Sequence, residues 1–115
     1  ESRFSKIGGE IVPHIQIEET LVRLLENEEE EFLPAAVTAI PHAKKGERLI
    51  VIHRKINQTP QQLCEALAEE GLPKLYIPSP NSFFEVEELP LLGSGKLDLK
   101  QIREIALKAF NTEDS

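Results

Sequence analysis

A short and almost wholly apolar run near the middle of the chain must be buried when the chain folds. The rest of the sequence therefore has to cover it. Residues Arg48–His53 read Arg-Leu-Ile-Val-Ile-His, without the apolar–polar alternation of a half-exposed strand. Such a run is typical of a strand buried at the centre of a sheet. A second apolar stretch, Ala35–Ile40, lies between Pro34 and Pro41, and the polar segment His42–Gly46 predicts a turn between the two strands. The sequence therefore predicts a small sheet with Arg48–His53 as its central strand.

Three segments have the periodicity or the capping residues of α-helices. Apolar residues with helical spacing predict a first helix over Ile15–Asn27. The segment Thr59–Gln62 places a capping threonine before proline and glutamine, which is a strong helix start, and Gly71 is a suitable end for that helix. A last helix is predicted to begin at Asp98. Its expected apolar face is Leu99, Ile102, Ala106 and Phe110.

The remaining predicted elements are extended. The pair Gly8-Gly9 separates two short alternating runs within Arg3–Pro13, and this pattern favours a β-hairpin. Leu75–Ile77 predicts a brief strand, and the alternation of apolar and acidic residues over Phe84–Glu87 predicts a half-exposed one. We therefore expect an α+β domain over residues 1–110, in which a hairpin precedes a short mixed sheet packed with about three helices. The tail, residues 111–115, is expected to be disordered.

Composition and charge exclude several classes of function. The 115 residues have a net charge of −7, which disfavours both a nucleic-acid backbone and an anionic membrane surface as partners. The single cysteine, Cys64, excludes an internal disulfide framework and a multi-cysteine metal site, and it fits a reducing compartment such as the cytoplasm. The longest apolar runs are too short to span a bilayer.

Lys96 is the strongest candidate for a catalytic side chain. It follows Gly93-Ser94-Gly95 and precedes the last helix, so it lies on a loop that could approach a ligand closely. A phosphate-binding P-loop would need glycine at position 90 and serine or threonine at 97, where the chain has Pro90 and Leu97. Taken alone, Lys96 is more often a solvated surface lysine.

Three segments resemble motifs of the adenylate-forming enzymes, the family of acyl-CoA synthetases, firefly luciferases and peptide-synthetase adenylation domains. The stretch from Ser2 to Ile11, with Ile17-Glu18, resembles the family's eighth core motif, a hairpin followed by a helix. Residues 43–49 resemble its Lys-Gly-Glu turn, and Pro90–Lys96 resembles its tenth motif. The three segments occur in the family's order and span nearly the whole chain. The chain is thus similar to the small C-terminal lid domain of such an enzyme.

The resemblance implies a role for several residues. Lys96 would stabilise adenylation of a fatty acid by ATP with Mg²⁺, which the large N-terminal domain would mainly hold. Gly8 and Gly9 would line the passage for the accepting thiol of coenzyme A or acyl carrier protein, and Ser2 would be the hinge about which the lid rotates. Gly93, Ser94 and Gly95 would support the lysine loop. The fragment alone is predicted to be inactive and to bind no cofactor.

Finer features of the resemblance suggest a subfamily and a partner. The segments Phe4–Glu10 and Pro13-His14 look closest to the acyl–acyl-carrier-protein synthetase part of bifunctional 2-acylglycerophosphoethanolamine acyltransferases, whose parent chain would work at the cytoplasmic face of the inner membrane. Leu92 departs from the family, which often has threonine there, and the Gly-Arg pair that usually precedes the first motif is absent. A basic patch for an acidic carrier protein would comprise Arg3, Lys6, Lys44, Lys45 and Arg48, although such residues are more often ordinary surface charges.

The other candidate functional residues have ordinary structural explanations. The three histidines, His14, His42 and His53, lie on different predicted elements without ligand spacing, so no metal site is expected. Cys64 on a helix is expected to be a packing residue. Glu18 could orient the hairpin or be a solvated helix carboxylate. The main alternative to an enzyme part is a non-catalytic, acidic α+β module that binds another protein.

Overall fold

The computed structural model describes residues 3–25, 34–44 and 46–110. Within these residues the chain forms a hairpin, a three-stranded sheet, three α-helices and two short 3-10 turns. In chain order the strands and α-helices are β1 (Phe4–Ile7), β2 (Glu10–Pro13), α1 (His14–Leu25), β3 (Ala35–His42), β4 (Gly46–His53), α2 (Pro60–Glu69), β5 (Phe83–Glu85) and α3 (Leu99–Phe110). The predicted α+β class, with a hairpin, a mixed sheet and three helices, is confirmed.

The three-stranded sheet has the order β3–β4–β5, so the predicted central strand is indeed central. Strands β3 and β4 are antiparallel over their whole lengths, from Ala35 opposite His53 to His42 opposite Gly46. Strand β5 runs parallel to β4, because the chain crosses over through α2 before it returns to the sheet. Pro41 does not end β3 as expected. It pairs with Glu47 inside the strand, which an edge strand tolerates because a proline there need not donate a hydrogen bond.

Each face of this sheet is covered by a separate apolar cluster. On one face, α1, α2 and the inner side of the hairpin pack against Val37, Leu49 and Val51. On the other face, α3 packs through Ile102 and Ala106 against the even-numbered residues of β3 and β4. Burial on both faces explains why β4 has an unbroken apolar run instead of an alternating one.

The outer edge of β3 is covered by side chains. The backbone N–H of Val37 donates to Glu18 Oε2 at 2.8 Å, and the Val37 carbonyl accepts from Arg3 Nη2 at 3.0 Å. Two residues further along, the Ala39 carbonyl accepts from Arg103 Nε at 3.1 Å. Side chains from the hairpin region, α1 and α3 thus replace the partner strand that an exposed edge would lack.

Local capping explains where two helices begin. Thr59 and Gln62 form the expected reciprocal capping box at the start of α2. Gly71 follows the α2 C-cap residue Glu70 with φ at +91°, a conformation that favours glycine. At α3, Asp98 Oδ1 accepts a hydrogen bond from the Gln101 amide at 3.2 Å.

One predicted element is wrong. Leu75–Ile77 lies in and after a 3-10 turn over Lys74–Tyr76 and not in a strand. The Tyr76 amide donates to the Pro73 carbonyl and the Ile77 amide donates to the Lys74 carbonyl, which closes the turn. The tight turn lets consecutive side chains reach the same apolar cluster, whereas a strand would send alternate residues to opposite sides. The predicted end of the first helix at Asn27 and the tail 111–115 lie outside the described residues.

Candidate active-site loop and hairpin

Lys96 lies at the base of a tight turn that is closed by backbone hydrogen bonds. The Gly95 amide donates to the Leu92 carbonyl at 2.9 Å, and the Leu92 amide donates to the Lys96 carbonyl at 2.7 Å. Gly95 has φ at +90°, which is the glycine position of a three-residue hairpin loop. The turn therefore closes without the threonine that the family often has at position 92. Its Leu92 and Gly95 amides are already bonded within the turn and form no cradle for a phosphate.

The turn is fixed at both ends but its tip is open to solvent. Leu91 and Leu97 form an antiparallel bridge below the tip, and the Asp98 amide donates to the Pro90 carbonyl at 3.0 Å. Leu97 packs against the apolar cluster under α3. The tip residues Gly93, Ser94 and Gly95 are exposed, and so is Lys96 at the base of the turn. The arrangement presents one lysine on a short, anchored projection.

The hairpin of β1 and β2 turns at Gly8 and Gly9, as predicted. Their φ angles are +58° and +86°, and a Cβ at either position would meet no atom within 4 Å in the described residues. These glycines are therefore required by the backbone conformation and not by crowding within the domain. The outer face of the hairpin exposes two large apolar side chains, Phe4 at 56% and Ile11 at 59%.

The Lys-Gly-Glu segment contacts the hairpin. Glu47 Oε1 accepts a hydrogen bond from the Lys6 amide at 2.7 Å. Gly46 has φ at +87°, and a Cβ there would lie 3.2 Å from the Lys6 carbonyl oxygen. Two of the three family-like segments thus meet: the glycine allows close approach and the glutamate binds the hairpin backbone.

A buried ion pair joins the start of the hairpin to α1. Arg3 donates from Nη1 and Nη2 to the two carboxylate oxygens of Glu18 at 3.0 and 2.7 Å. The two side chains are only 15% and 11% exposed. Glu18 therefore orients the hairpin, which is one of the two roles open to it from sequence. Arg3, expected as a carrier-protein contact, is largely occupied by this internal pair.

A second polar contact lies beside the ion pair. The Ser5 hydroxyl and His14 Nε2 hydrogen-bond between β1 and the first turn of α1, and both residues are buried. Burial is the largest cause that lowers the pKa of His14 from 6.5 to about 4, and the Arg3 cation acts in the same direction. The carboxylates of Glu47 and Glu18 oppose this shift. His14 is therefore a neutral, positioning side chain near neutral pH.

The lysine turn and the hairpin belong to opposite faces of the three-stranded sheet. The inner hairpin residues Ile7 and Val12 lie in the apolar cluster with α1 and α2. Leu89 and Leu97, which flank the lysine turn, lie in the cluster under α3. The two features are therefore attached to different sides of the domain.

The other predicted residues are spread over the molecule. Lys6 and Lys44 are exposed near the hairpin, whereas Arg48 lies on the face covered by α3 and contacts Phe110. The predicted hinge residue Ser2 and the basic residue Lys45 lie outside the described residues. The Cys64 thiol donates to the Pro78 carbonyl at 3.0 Å, and burial raises its pKa, which makes it a poor nucleophile.

The part of the chain that the structure describes contains neither a metal-binding cluster nor a membrane-spanning helix. In residues 3–25, 34–44 and 46–110, no three His, Cys, Asp or Glu side chains lie close enough together to hold a metal ion. None of the helices in the same ranges has the length and apolar character needed to cross a membrane.

Comparison with known proteins identifies a class of relatives. No protein-family model matches the chain. It is 35% identical over 101 residues to a long-chain-fatty-acid–CoA ligase of Thermus thermophilus. The aligned region covers 86% of this chain and 17% of the ligase. It is 31% identical over 110 residues to the peroxisomal trans-cinnamate:CoA ligase of Petunia hybrida. That aligned region covers 94% of this chain and 18% of the enzyme. The chain thus spans less than a fifth of the length of these relatives.

Solved structures show the same fold. MatB from Rhodopseudomonas palustris, solved without ligand and with ATP bound, superposes on the chain with a TM-score of 0.74 in the ligand-free form. The match is 21% identical in sequence and covers 94% of this chain and 21% of MatB. The fold is that of the small C-terminal domain of adenylate-forming ligases.

Proposed function

We propose that this chain is the lid domain of an ATP-dependent, AMP-forming acyl ligase. The observation that supports it most is the pairing of an exposed lysine turn with a glycine hairpin on opposite faces of one sheet, in a chain whose relatives are CoA ligases. The rest of the enzyme, including the acyl pocket and most of the ATP site, would lie in a larger domain. This division fits the chain, because its lysine turn uses backbone amides internally and offers ATP only a side chain.

Lys96 would act in the first half-reaction. A fatty carboxylate attacks the α-phosphorus of ATP and pyrophosphate leaves, so two anions must approach each other. A lysine ammonium placed between the carboxylate and phosphate oxygens stabilises the charge that develops there. Mg²⁺, held mainly by the large domain, would supply further charge neutralisation on the phosphates. The anchored turn holds the lysine backbone, so little ordering remains to be done when the lid closes.

The hairpin would act in the second half-reaction. There the thiol of the acceptor attacks the acyl carbonyl and AMP leaves. Gly8 and Gly9 would form a wall of the thiol passage that has no side chains, and rotation about Ser2 would exchange the lysine turn for the hairpin. The exposed Phe4 and Ile11 fit a surface that is covered in one of the two lid positions.

The proposal extends to the identity of the thiol acceptor and of the acyl substrate. The names of both relatives include CoA as the acceptor, which favours coenzyme A here. A fatty acid is the favoured acyl substrate, by similarity to the Thermus ligase. Acyl carrier protein as acceptor, and a parent enzyme that acylates 2-acylglycerophosphoethanolamine, rest on sequence resemblance. For a carrier protein, the exposed Lys6 and Lys44 are better placed than the paired Arg3.

Substitution of Lys96 in the full-length protein tests the proposal. Lys96→Ala should slow ATP–pyrophosphate exchange by roughly 100-fold or more, as expected for loss of one preorganised electrostatic contact. Transfer from preformed acyl adenylate to the thiol should remain nearly normal. Lys100→Ala is the matched control, because Lys100 is exposed in the first turn of α3 and has no assigned role.

Two outcomes would contradict the proposal. Equal rates for the Lys96→Ala and Lys100→Ala variants would make Lys96 an ordinary surface charge and favour the alternative of a protein-binding module. Robust pyrophosphate exchange by the isolated 115-residue chain would mean that the chain is not a lid, because a lid depends on the larger domain for its nucleotide.

A further inference from the structure

The Lys-Gly-Glu segment is the family-like motif to which the proposed function gives no role. Its residues Gly46 and Glu47 begin β4. Side chains alternate along a strand, so Glu47 lies on the same face of the sheet as Leu49. Leu49 belongs to the apolar cluster that contains the inner hairpin residue Ile7. The start of β4 therefore lies at the edge of the surface on which the hairpin packs.

Both backbone polar groups of Lys6 face this segment. Lys6 pairs with Ile11 one position before the Gly8-Gly9 turn closes, and at this point of the antiparallel ladder its N–H and C=O point away from β2. Its amide donates to Glu47 Oε1 at 2.7 Å. Its carbonyl oxygen would lie 3.2 Å from a Cβ at Gly46, so the glycine leaves room for it. The segment thus covers the outer edge of β1 where a third strand would otherwise pair.

Polar contacts attach the hairpin at two points along β1. At the base, Arg3 forms its ion pair with Glu18, and nearer to the tip Glu47 binds the Lys6 amide. A strand rises about 3.3 Å per residue, so the tip at Gly8 lies roughly 16 Å from Arg3, and a tilt of about 4° at the base would move the tip by about 1 Å. Apolar burial has no direction and resists such a tilt weakly, whereas a hydrogen bond specifies one. The Glu47 contact therefore fixes the tilt.

The contact between Glu47 and Lys6 matters more for position than for stability. Lys6 is exposed and Glu47 is only partly buried. A hydrogen bond in such surroundings adds little to the free energy of unfolding, because water can replace either partner. Displacement of a reacting group by about 1 Å, in contrast, can slow a reaction about 100-fold. Loss of Glu47 should therefore affect a reaction at the hairpin far more than it affects folding.

We propose that Gly46 and Glu47 are positioning residues that set the tilt of the glycine hairpin for the thiol half-reaction. This assignment rests on the proposed function, in which the hairpin glycines line the thiol passage. Neither residue touches the substrate, and each acts through the backbone of Lys6. Adenylation, which would depend on Lys96 on another side of the domain, does not need them.

Two substitutions of Glu47 separate positioning from charge. Glu47→Ala removes the acceptor, whereas Glu47→Gln removes the charge but keeps an oxygen that can accept from the Lys6 amide. In the proposed full-length ligase, Glu47→Ala should slow single-turnover transfer to saturating thiol roughly tenfold or more, and Glu47→Gln should restore most of the rate. ATP–pyrophosphate exchange should be unchanged in both. Glu85→Ala, which removes an exposed glutamate from β5 of the same sheet, is the control and should transfer normally.

Alanine at Gly46 tests the same contact from the other side. Gly46 and Gly71 have φ angles of +87° and +91°, so alanine should be strained to a similar extent at both. Only at Gly46 would the new Cβ crowd the hairpin, at 3.2 Å from the Lys6 carbonyl oxygen, whereas a Cβ at Gly71 meets no described atom within 4 Å. Gly46→Ala should therefore slow thiol transfer and Gly71→Ala should not. If Gly46→Ala does not fold, the Glu47 variants decide.

The position of the hairpin can also be followed without any catalytic step. In the ¹⁵N-labelled 115-residue chain, Glu47→Ala should speed hydrogen exchange of the Lys6 amide and shift the resonances of Gly8 and Gly9, and Glu47→Gln should do so much less.

Unchanged exchange at Lys6 in the Glu47→Ala chain would overturn the proposal. So would natural rates of thiol transfer in Glu47→Ala, a Glu47→Gln variant as slow as Glu47→Ala, or an equal loss in adenylation and transfer. The lid function is tested separately by Lys96→Ala. A normal Lys96→Ala enzyme would refute the lid function whatever the Lys6 amide shows, so the two failures are distinguishable.

Discussion

Ser5 and His14 form a buried polar contact between the hairpin and α1, and the contact has a consequence for stability. An imidazole that hydrogen-bonds a hydroxyl in a buried position is most stable in its neutral form. In the unfolded chain His14 is exposed to water, and its pKa there is about 6.5. Folding and protonation of His14 therefore compete at mildly acidic pH.

Stability should fall as the pH is lowered from about 6.5 towards 4. In this window the unfolded state takes up a proton at position 14 while the folded state, with the pKa of His14 at about 4, does not. Above pH 6.5 the contribution is fully present, and below about pH 4 both states are protonated and the loss is complete. The total should be roughly 3 kcal/mol, because each unit of pKa difference corresponds to about 1.4 kcal/mol. Urea unfolding at a series of pH values measures it.

His14→Gln removes the titration but retains a side chain that can hydrogen-bond to Ser5. Its free energy of unfolding should change less with pH between 4 and 6.5 than that of the natural chain. His42→Gln serves as the control and should keep the natural pH dependence. If the two variants have the same pH profile, burial of neutral His14 is not the cause of acid sensitivity.

Single residues also show where sequence reasoning stops. Arg3 and Arg48 look alike in sequence, and both were expected to be docking charges. In the fold, Arg3 is paired with Glu18, fifteen residues away, and Arg48 with the loop that holds Ser82, 34 residues away. Neither distance follows a helical or strand period, so pattern alone could not predict the partners. The conformation of the turn glycines and the exposure of Lys96 were predictable because both depend on the local backbone.

At the level of elements, the hairpin is held to the body of the domain by polar contacts as well as by its buried residues Ile7 and Val12. Glu18 binds Arg3 and the backbone of β3, and Glu47 binds the backbone of β1. Only one face of the hairpin is apolar and buried. Because a two-stranded hairpin has little stability of its own, these contacts should determine how firmly it is oriented.

Glu18→Ala should destabilise the chain by about 3 kcal/mol, because it leaves a buried arginine and the Val37 amide without their acceptor. Glu70→Ala is the matched control. It breaks the pair with Arg23, whose side chains are 60% and 38% exposed, and should cost less than about 1 kcal/mol. Chemical denaturation of both variants measures the difference. Equal losses would mean that the Arg3–Glu18 pair is effectively a surface ion pair.

The elements with strong local signals were predicted well. The capping box of α2, the double glycine of the hairpin and the apolar run of β4 each specify structure within a few residues. The 3-10 turn at Lys74–Tyr76 was missed because Pro73 and the tertiary cluster decide its backbone, and three apolar residues fit either conformation. The parallel pairing of β5 with β4 was not predicted either, since it depends on how the α2 crossover packs.

For the whole molecule, the proposed function requires that Gly9 matter to thiol transfer beyond its effect on stability. Gly9 and Gly71 allow a matched comparison, because their φ angles are +86° and +91° and both have open space around a Cβ position. Leucine at either position should cost about 1–2 kcal/mol of stability through backbone strain. Circular dichroism and urea unfolding would establish that the two costs are similar.

In the proposed full-length ligase, Gly9→Leu should slow transfer of the acyl group to the thiol, by roughly 100-fold if the thiol is displaced by about 1 Å. Adenylation should be nearly unchanged. Gly71→Leu should leave both half-reactions intact, since Gly71 lies at the end of α2. Stopped-flow measurement of each half-reaction distinguishes them. If both variants slow both steps to the same extent, strain alone explains the effect and the hairpin does not line a thiol passage.

The side chains along the outer edge of β3 protect this edge from pairing with a strand of another molecule. This protection matters for a domain that, as a lid, would repeatedly expose different surfaces. Glu18, Arg3 and Arg103 bind the outward-facing backbone of Val37 and Ala39, and Pro41 has no N–H to offer. A strand from another molecule would have to displace an ion pair before it could add to the sheet. The chain can thus leave a partner surface without offering a template for edge-to-edge aggregation.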